Sequence, residues 1–238
     1  MKQLYAVILK VRFGKKIECA DINAIPKAFF FDTEFVSITN KNDFAFLASS
    51  LLASSIESFI CKSSWDLSNF FALKAMKLIY ENALLASKEN SKAIENMLYA
   101  QYYAGIAFAN GGAAFATAAS LSLEAAIGIS FSKSIVPIFK ESMEFNAAST
   151  GQKYKDIAVN MGAKVSSSAS PESFRKTAIN SVEKFFKELS VAKKIEEVKI
   201  SKEDISFIQE NILKNKYTEL NPKTVTKKKI SDVLKLLS

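Results

Sequence analysis

The chain has 238 residues, 49% of them hydrophobic, with 32 Lys and Arg against 24 Asp and Glu for a formal net charge of +8. That length allows one large domain or two small ones, and the apolar content supports a sizeable core rather than disorder. Histidine is absent. Its absence removes the commonest general base and the commonest metal ligand, and so excludes Ser-His-Asp triads, Cys-His pairs and the usual zinc sites.

Only two cysteines occur, Cys19 and Cys61. They form neither a disulfide framework nor a CxxC site, and a reducing cytoplasm is the expected compartment. The N-terminal apolar run, Leu4 to Leu9, is too short for a signal segment or a membrane span. Charge is uneven: from Lys164 onward there are 16 Lys and Arg and 10 Asp and Glu, against 16 and 14 before it. A basic C-terminal third is compatible with nucleic acid or anionic lipid. The cations are nearly all Lys with acidic neighbours and no interleaved aromatic platform. A solvated helical surface is therefore expected, and nucleic-acid binding is not.

In chain order, residues 4–9, 17–20 and 28–31 read as short strands, with Pro26 between the last two. The helical period takes over after about residue 40. Residues 43–62 predict a mostly apolar helix with Asp43 as its cap, and residues 66–87 open on a second capping signal, DLSN. In that second helix Leu73, Met76, Ile79 and Tyr80 share one face. Residues 91–127 hold one or two Ala-rich helices, with a break placed at Gly111-Gly112. Asn110, Glu124 and many Ser interrupt this stretch, which reads as close helix packing and not as a membrane span. Helices are also predicted over 132–147, 150–161, 171–189, 201–214 and 226–237, the fourth from its SKED capping box and the last from Thr226 as cap. No GxGxxG or P-loop occurs, and no repeat of solenoid length.

Several segments, taken together and in order, carry a resemblance. IPKAFFFDTEFVSI (25–38) resembles a P-x-x-A-I-I-D-P-E-L motif, and residues 50–79 resemble D-A-L-x-H-A-I-E followed by P-L-S-D-x-L-A-L-x-A-I-x-L-I. YAQYYAGIAFAN (99–110) is similar to A-x-x-L-A-G-x-A-F-x-N. VPIFKESMEFN (136–146) is similar to L-P-x-V-x-x-F-N, and residues 218–237 to T-x-x-N-P-R-P-L-T-x-x-D-I-x-x-I-L. The ordered set resembles the C-terminal helical domain of the iron-containing (group III) alcohol dehydrogenases. The fold class this implies is mainly α: a helical bundle with a few short N-terminal strands. Residues 1–40 are expected to be a β-strand segment, a remnant of the edge of the family's dinucleotide-binding domain. Residues 41–238 are expected to be the all-helical domain.

In the family, one Asp and three His hold a divalent metal. The resemblance puts the first two ligands, four residues apart on one helix face, at Ser50 and Ser54. It puts the third ligand at Thr117 and the last at Phe131, and a further His near the substrate at Leu121. Neutral hydroxyls are poor ligands for iron or zinc, and Phe131 cannot ligate at all. Glu57, at the Glu of H-A-I-E, and Glu124 are carboxylates nearby in sequence; alone they would hold a metal weakly. The hydroxyls of Ser50, Ser54 and Thr117 are expected to bond back to their own helix carbonyls, and the former site to be filled and dry around Leu121 and Phe131. Tyr99, Tyr102 and Tyr103 read as core or interface aromatics.

The resemblance with its lost ligands implies a degenerate, metal-free relative that uses no cofactor, lacks catalytic and cofactor-binding residues, and works through self-association or a protein partner. An alternative is half of a split NAD(P)-dependent dehydrogenase completed by another subunit. A basic binding module is the third possibility.

Overall fold

Alanine and serine recur at helical spacing through the central helices; alanine loses no side-chain entropy in a helix, and both are small enough to let neighbouring helices approach closely. In the computed structural model the described residues are 6–12, 15–21, 23, 26–36, 38–191 and 200–236. Two strands, β1 (Ala6–Arg12) and β2 (Lys15–Asp21), pair antiparallel from Ala6 opposite Asp21 to Arg12 opposite Lys15. The first two strand expectations meet these elements, with residues 4 and 5 outside the described set. Residues 28–31 are not a strand. They run as an irregular segment into a 3-10 turn, Thr33–Phe35, and Phe29 and Phe31 rest on Tyr102 at 5.1 and 5.6 Å between ring centroids. The AFFF run finds an aromatic surface where a strand would need a hydrogen-bonding neighbour.

The helices follow: α1 (Lys41–Ile60), α2 (Asp66–Ala86), α3 (Ser91–Gly111), α4 (Phe115–Ile127), α5 (Phe131–Asn146), α6 (Lys153–Asn160), α7 (Pro171–Glu188), α8 (Lys202–Lys214), α9 (Lys216–Glu219) and α10 (Lys227–Leu234). Asn40, not Asp43, caps α1: its side chain accepts from the N–H groups of Asn42 and Asp43. Asp43 lies instead in the first turn, where its charge favours the positive end of the helix. The caps at Ser201 and Thr226 are as expected, and Ser170 with Pro171 opens α7. Residue 237 lies outside the described residues.

Small residues set the packing. Ala72, Ala75, Ala83 and Ala86 of α2 and Ala93, Ala100, Ala104 and Ala107 of α3 are all buried. These stripes let α2 and α3, joined by residues 87–90, fold back on each other along their length. Met76 and Ile79 are buried on the predicted face of α2, with Leu73 and Tyr80 at its half-buried margin. Helix α1 runs through the centre of the bundle against α2, α3 and α5. It is long and apolar enough to cross a membrane, but 67% of that window is buried inside the protein, which marks a core helix. The Ala-rich stretch is broken as expected: α3 and α4 meet at 99°. Gly112 makes the corner with φ +91°, and a Cβ there would sit 2.9 Å from Leu220 Cδ1, so any side chain at this position is strained.

Candidate functional site

The first turn of a helix exposes N–H groups that have no partner within the helix. Helix α4 starts with Ala114 at its cap position, and alanine has no side-chain acceptor to offer. Acceptors come from elsewhere in the chain. Glu57, on α1 and fully buried, accepts from Ala116 N–H at 2.7 Å through Oε1, and from Thr117 N–H at 2.8 Å and Ala114 N–H at 3.2 Å through Oε2. Phe115 N–H donates to Asn221 Oδ1 at 3.1 Å. One carboxylate and one amide thus satisfy the whole first turn of α4, and the negative charge lies at the positive end of the helix dipole.

A second ring of bonds holds those acceptors. Ser142 Oγ donates to Glu57 Oε1 at 3.3 Å. Asn146 and Asn221 exchange bonds in both directions, at 2.9 and 2.7 Å, and Asn221 Nδ2 also donates to the carbonyl of Lys223. Glu57, Asn146 and Asn221 are each 0% exposed, so these bonds form away from water and a lost partner cannot be replaced cheaply. Burial pushes the Glu57 carboxyl above its ordinary value; the hydrogen bonds from Thr117, Ala116 and Ala114 oppose that rise.

The neighbouring corner is tied in the same way. Ser58 Oγ donates to the Gly112 carbonyl at 2.7 Å, and Trp65 Nε1 to the Asn110 carbonyl at 3.2 Å. Cys61, buried and free, donates to the Gly111 carbonyl at 3.0 Å. Burial raises its thiol above the ordinary value, which leaves it a poor nucleophile.

The five positions singled out in the sequence lie around this framework. Ser50 is buried and its hydroxyl donates to the Leu47 carbonyl at 2.8 Å, one turn back on its own helix. Ser54 is half-buried on the same helix. Thr117 differs from expectation: its enclosed Oγ1 makes no bond back to a carbonyl of its own helix, while its backbone N–H goes to Glu57. The first turn of α4 points at the carboxylate, so Thr117 is held there by its main chain. Phe131 opens α5 and packs on the main core, whereas Leu121 packs in a smaller cluster with Ala113, Ala118 and Tyr217. Two hydroxyls from α1, one from α4 and a phenyl ring are not a donor set for iron or zinc. The nearest buried carboxylate, Glu57, has both oxygens engaged. Among the described residues no group of three or more His, Cys, Asp or Glu stands together to hold a metal ion.

The profile of the Fe-containing alcohol dehydrogenase family, C-terminal, matches residues 50–237. The chain belongs to the iron-containing alcohol dehydrogenase family. It is 29% identical over 223 residues to the lactaldehyde reductase of Escherichia coli K12, a match that covers 93% of this chain and 57% of that protein. It is 28% identical over 186 residues to the NAD-dependent methanol dehydrogenase of Bacillus methanolicus, covering 77% of this chain and 49% of the relative. The chain therefore spans only about half the length of these relatives. Among solved structures, the alcohol dehydrogenase of Oenococcus oeni superposes with a TM-score of 0.88 at 19% identity, over 99% of this chain and 62% of its own. An archaeal alcohol dehydrogenase from a Red Sea brine pool gives 0.87 at 22%, over 98% and 60%. These structures show the shared helical fold.

The motif resemblance gives the buried network its positions. Glu57 stands at the Glu of H-A-I-E, Asn146 at the Asn of F-N and Asn221 at the Asn of N-P. Sequence reading took Glu57 as a weak candidate ligand and gave Asn146 and Asn221 no role. The available signal was a missing one: a helix opening AAFATAA supplies no cap of its own.

Proposed function

We propose that the chain is a metal-free, catalytically inactive relative of the iron-containing alcohol dehydrogenases, acting in the cytoplasm as a structural, assembly or partner-binding protein. The donor chemistry of the ligand positions supports this reading best. Ser50, Ser54, Thr117 and Phe131 offer no imidazole, carboxylate or thiolate, and the chain has no histidine to take over. Glu57, the one family carboxylate retained beside them, is committed to capping α4. In this reading residues 1–40 correspond to the edge of the family's dinucleotide-binding domain and residues 41–238 to its helical domain. The test is turnover. The purified chain, given Fe²⁺ or Zn²⁺ with NAD⁺ or NADP⁺ and lactaldehyde, methanol or 1,3-propanediol in the matching redox direction, is expected to show none. Metal-dependent turnover by the chain alone would refute the proposal.

A second reading is favoured by one observation: the chain matches the C-terminal part of its family and spans 57% of the lactaldehyde reductase's length. Half of a split NAD(P)-dependent dehydrogenase would look the same. Turnover that appears only on adding a separate dinucleotide-binding polypeptide would establish it.

A further inference from the structure

One face of the protein carries far more aromatic surface than its packing needs. Phe29 and Phe31 touch Tyr102, Phe31 also touches Tyr99, and ring contacts continue from Tyr102 through Tyr103 and Phe71 to Phe70. The chain of rings is continuous, and two further rings next to it in the sequence stand almost bare. Phe30 is 92% exposed and Phe35 is 89% exposed, while Phe29, Phe31, Phe70 and Tyr99 are each between 37% and 63%. At about 200 Å² per ring, the exposed parts of these six side chains amount to roughly 750 Å². The largest apolar patch on a typical monomer is about 300–600 Å², and one side of a standard stable interface is about 800 Å².

Beside Phe35 lies a hole. A groove of about 330 Å³ runs between the segment after Phe35, the start of α1 and the first half of α3. Its walls include Val36, Ile38, Leu47, Leu51, Ile94 and Leu98. A protruding ring next to an apolar groove, on one face of one molecule, is what a self-complementary two-fold contact requires: each copy supplies both the knob and the hole.

Charge favours the same partner. The protein as a whole is +8, so copies repel each other through most of their surface. Within residues 26–43, however, Lys27 and Lys41 stand against Asp32, Glu34 and Asp43, all exposed. A rim of mixed sign and near-zero net charge lets the Lys of one copy face the carboxylates of the other.

We propose that this face binds a second copy of the chain, with Phe30 and Phe35 of each copy seated on the other's groove and aromatic strip. The inference gives a surface and a partner to the assembly role proposed above, and it rests on that reading. Sedimentation and light-scattering mass of the full chain at micromolar concentration are expected to give twice the 26.3 kDa chain mass. The variant F30E/F35E, altered only at exposed rings, is expected to run as a monomer with unchanged circular dichroism and melting. Wild-type protein that is monomeric overturns the proposal. So does a double variant that stays dimeric, and so does a wild-type monomer whose face is occupied only by a different protein in a co-purified complex. Metal content and turnover measured on the same preparations report on the inactive-relative reading separately, so the two can fail independently.

Discussion

Truncation of Glu57 to alanine strands three backbone donors and one hydroxyl in the core. Ala114, Ala116 and Thr117 lose the acceptor for their N–H groups and Ser142 loses its own. A buried donor left without a partner costs about 1–3 kcal/mol. The space vacated is lined by donors, so entering water recovers some of them. A net loss of about 3–5 kcal/mol is expected, a large part of the roughly 5–15 kcal/mol that holds a domain together. Glu57→Gln separates shape from acceptor count. It fills the same volume but turns one oxygen into a donor facing N–H groups, and is expected to lose about 2–4 kcal/mol. Urea unfolding followed by circular dichroism, with unchanged m-values, measures both. A loss under about 1 kcal/mol for Glu57→Ala would show that the carboxylate is not the cap of α4 and would refute the reasoning.

Other consequences are as direct. Because burial holds the Glu57 carboxyl above its ordinary value of 4.5, the folded state binds the extra proton, and its contribution to stability falls as pH rises from 4.5 through the raised value. Glu57→Gln cannot titrate, so a comparison of unfolding free energies across that window is expected to show this slope in the wild type and not in the variant. Asn221→Ala frees the Phe115 N–H and breaks the two-way pair with Asn146, for an expected loss of about 2–4 kcal/mol in the same urea assay. Gly112→Ala forces a Cβ to within 2.9 Å of Leu220 Cδ1 at φ +91°, and thermal melting is expected to report a loss of about 1–3 kcal/mol.

The parts of the fold that were legible in the sequence are those whose chemistry is local. The SKED box and Thr226 each bond within three residues of themselves, so their spacing announces them. Gly111-Gly112 marked the corner for the same reason. Residues 28–31 were misread as a strand because an apolar run shows only that a surface is wanted, not whether the partner is a strand or a tyrosine ring. At α1 the cap was placed at Asp43, whereas the backbone path puts it three residues earlier, at Asn40. The buried network was illegible by spacing, since the bonds that cap α4 join residues 57 to 106 positions apart. The motifs had singled out only Glu57, as a carboxylate near a metal site; the geometry joins it to Asn146 and Asn221 as the support of α4. The expectation of local bonding held for Ser50 and failed for Thr117, whose environment is set by Glu57 from another helix.

The central claim is that the scaffold of a metal enzyme persists here with donor atoms that do not bind the metal. Elemental analysis tests it most directly, on protein purified from cells grown with ample iron and zinc and dialysed without chelator. The account predicts iron and zinc far below one atom per chain, unchanged after reloading with either ion. One tightly held equivalent per chain would contradict it.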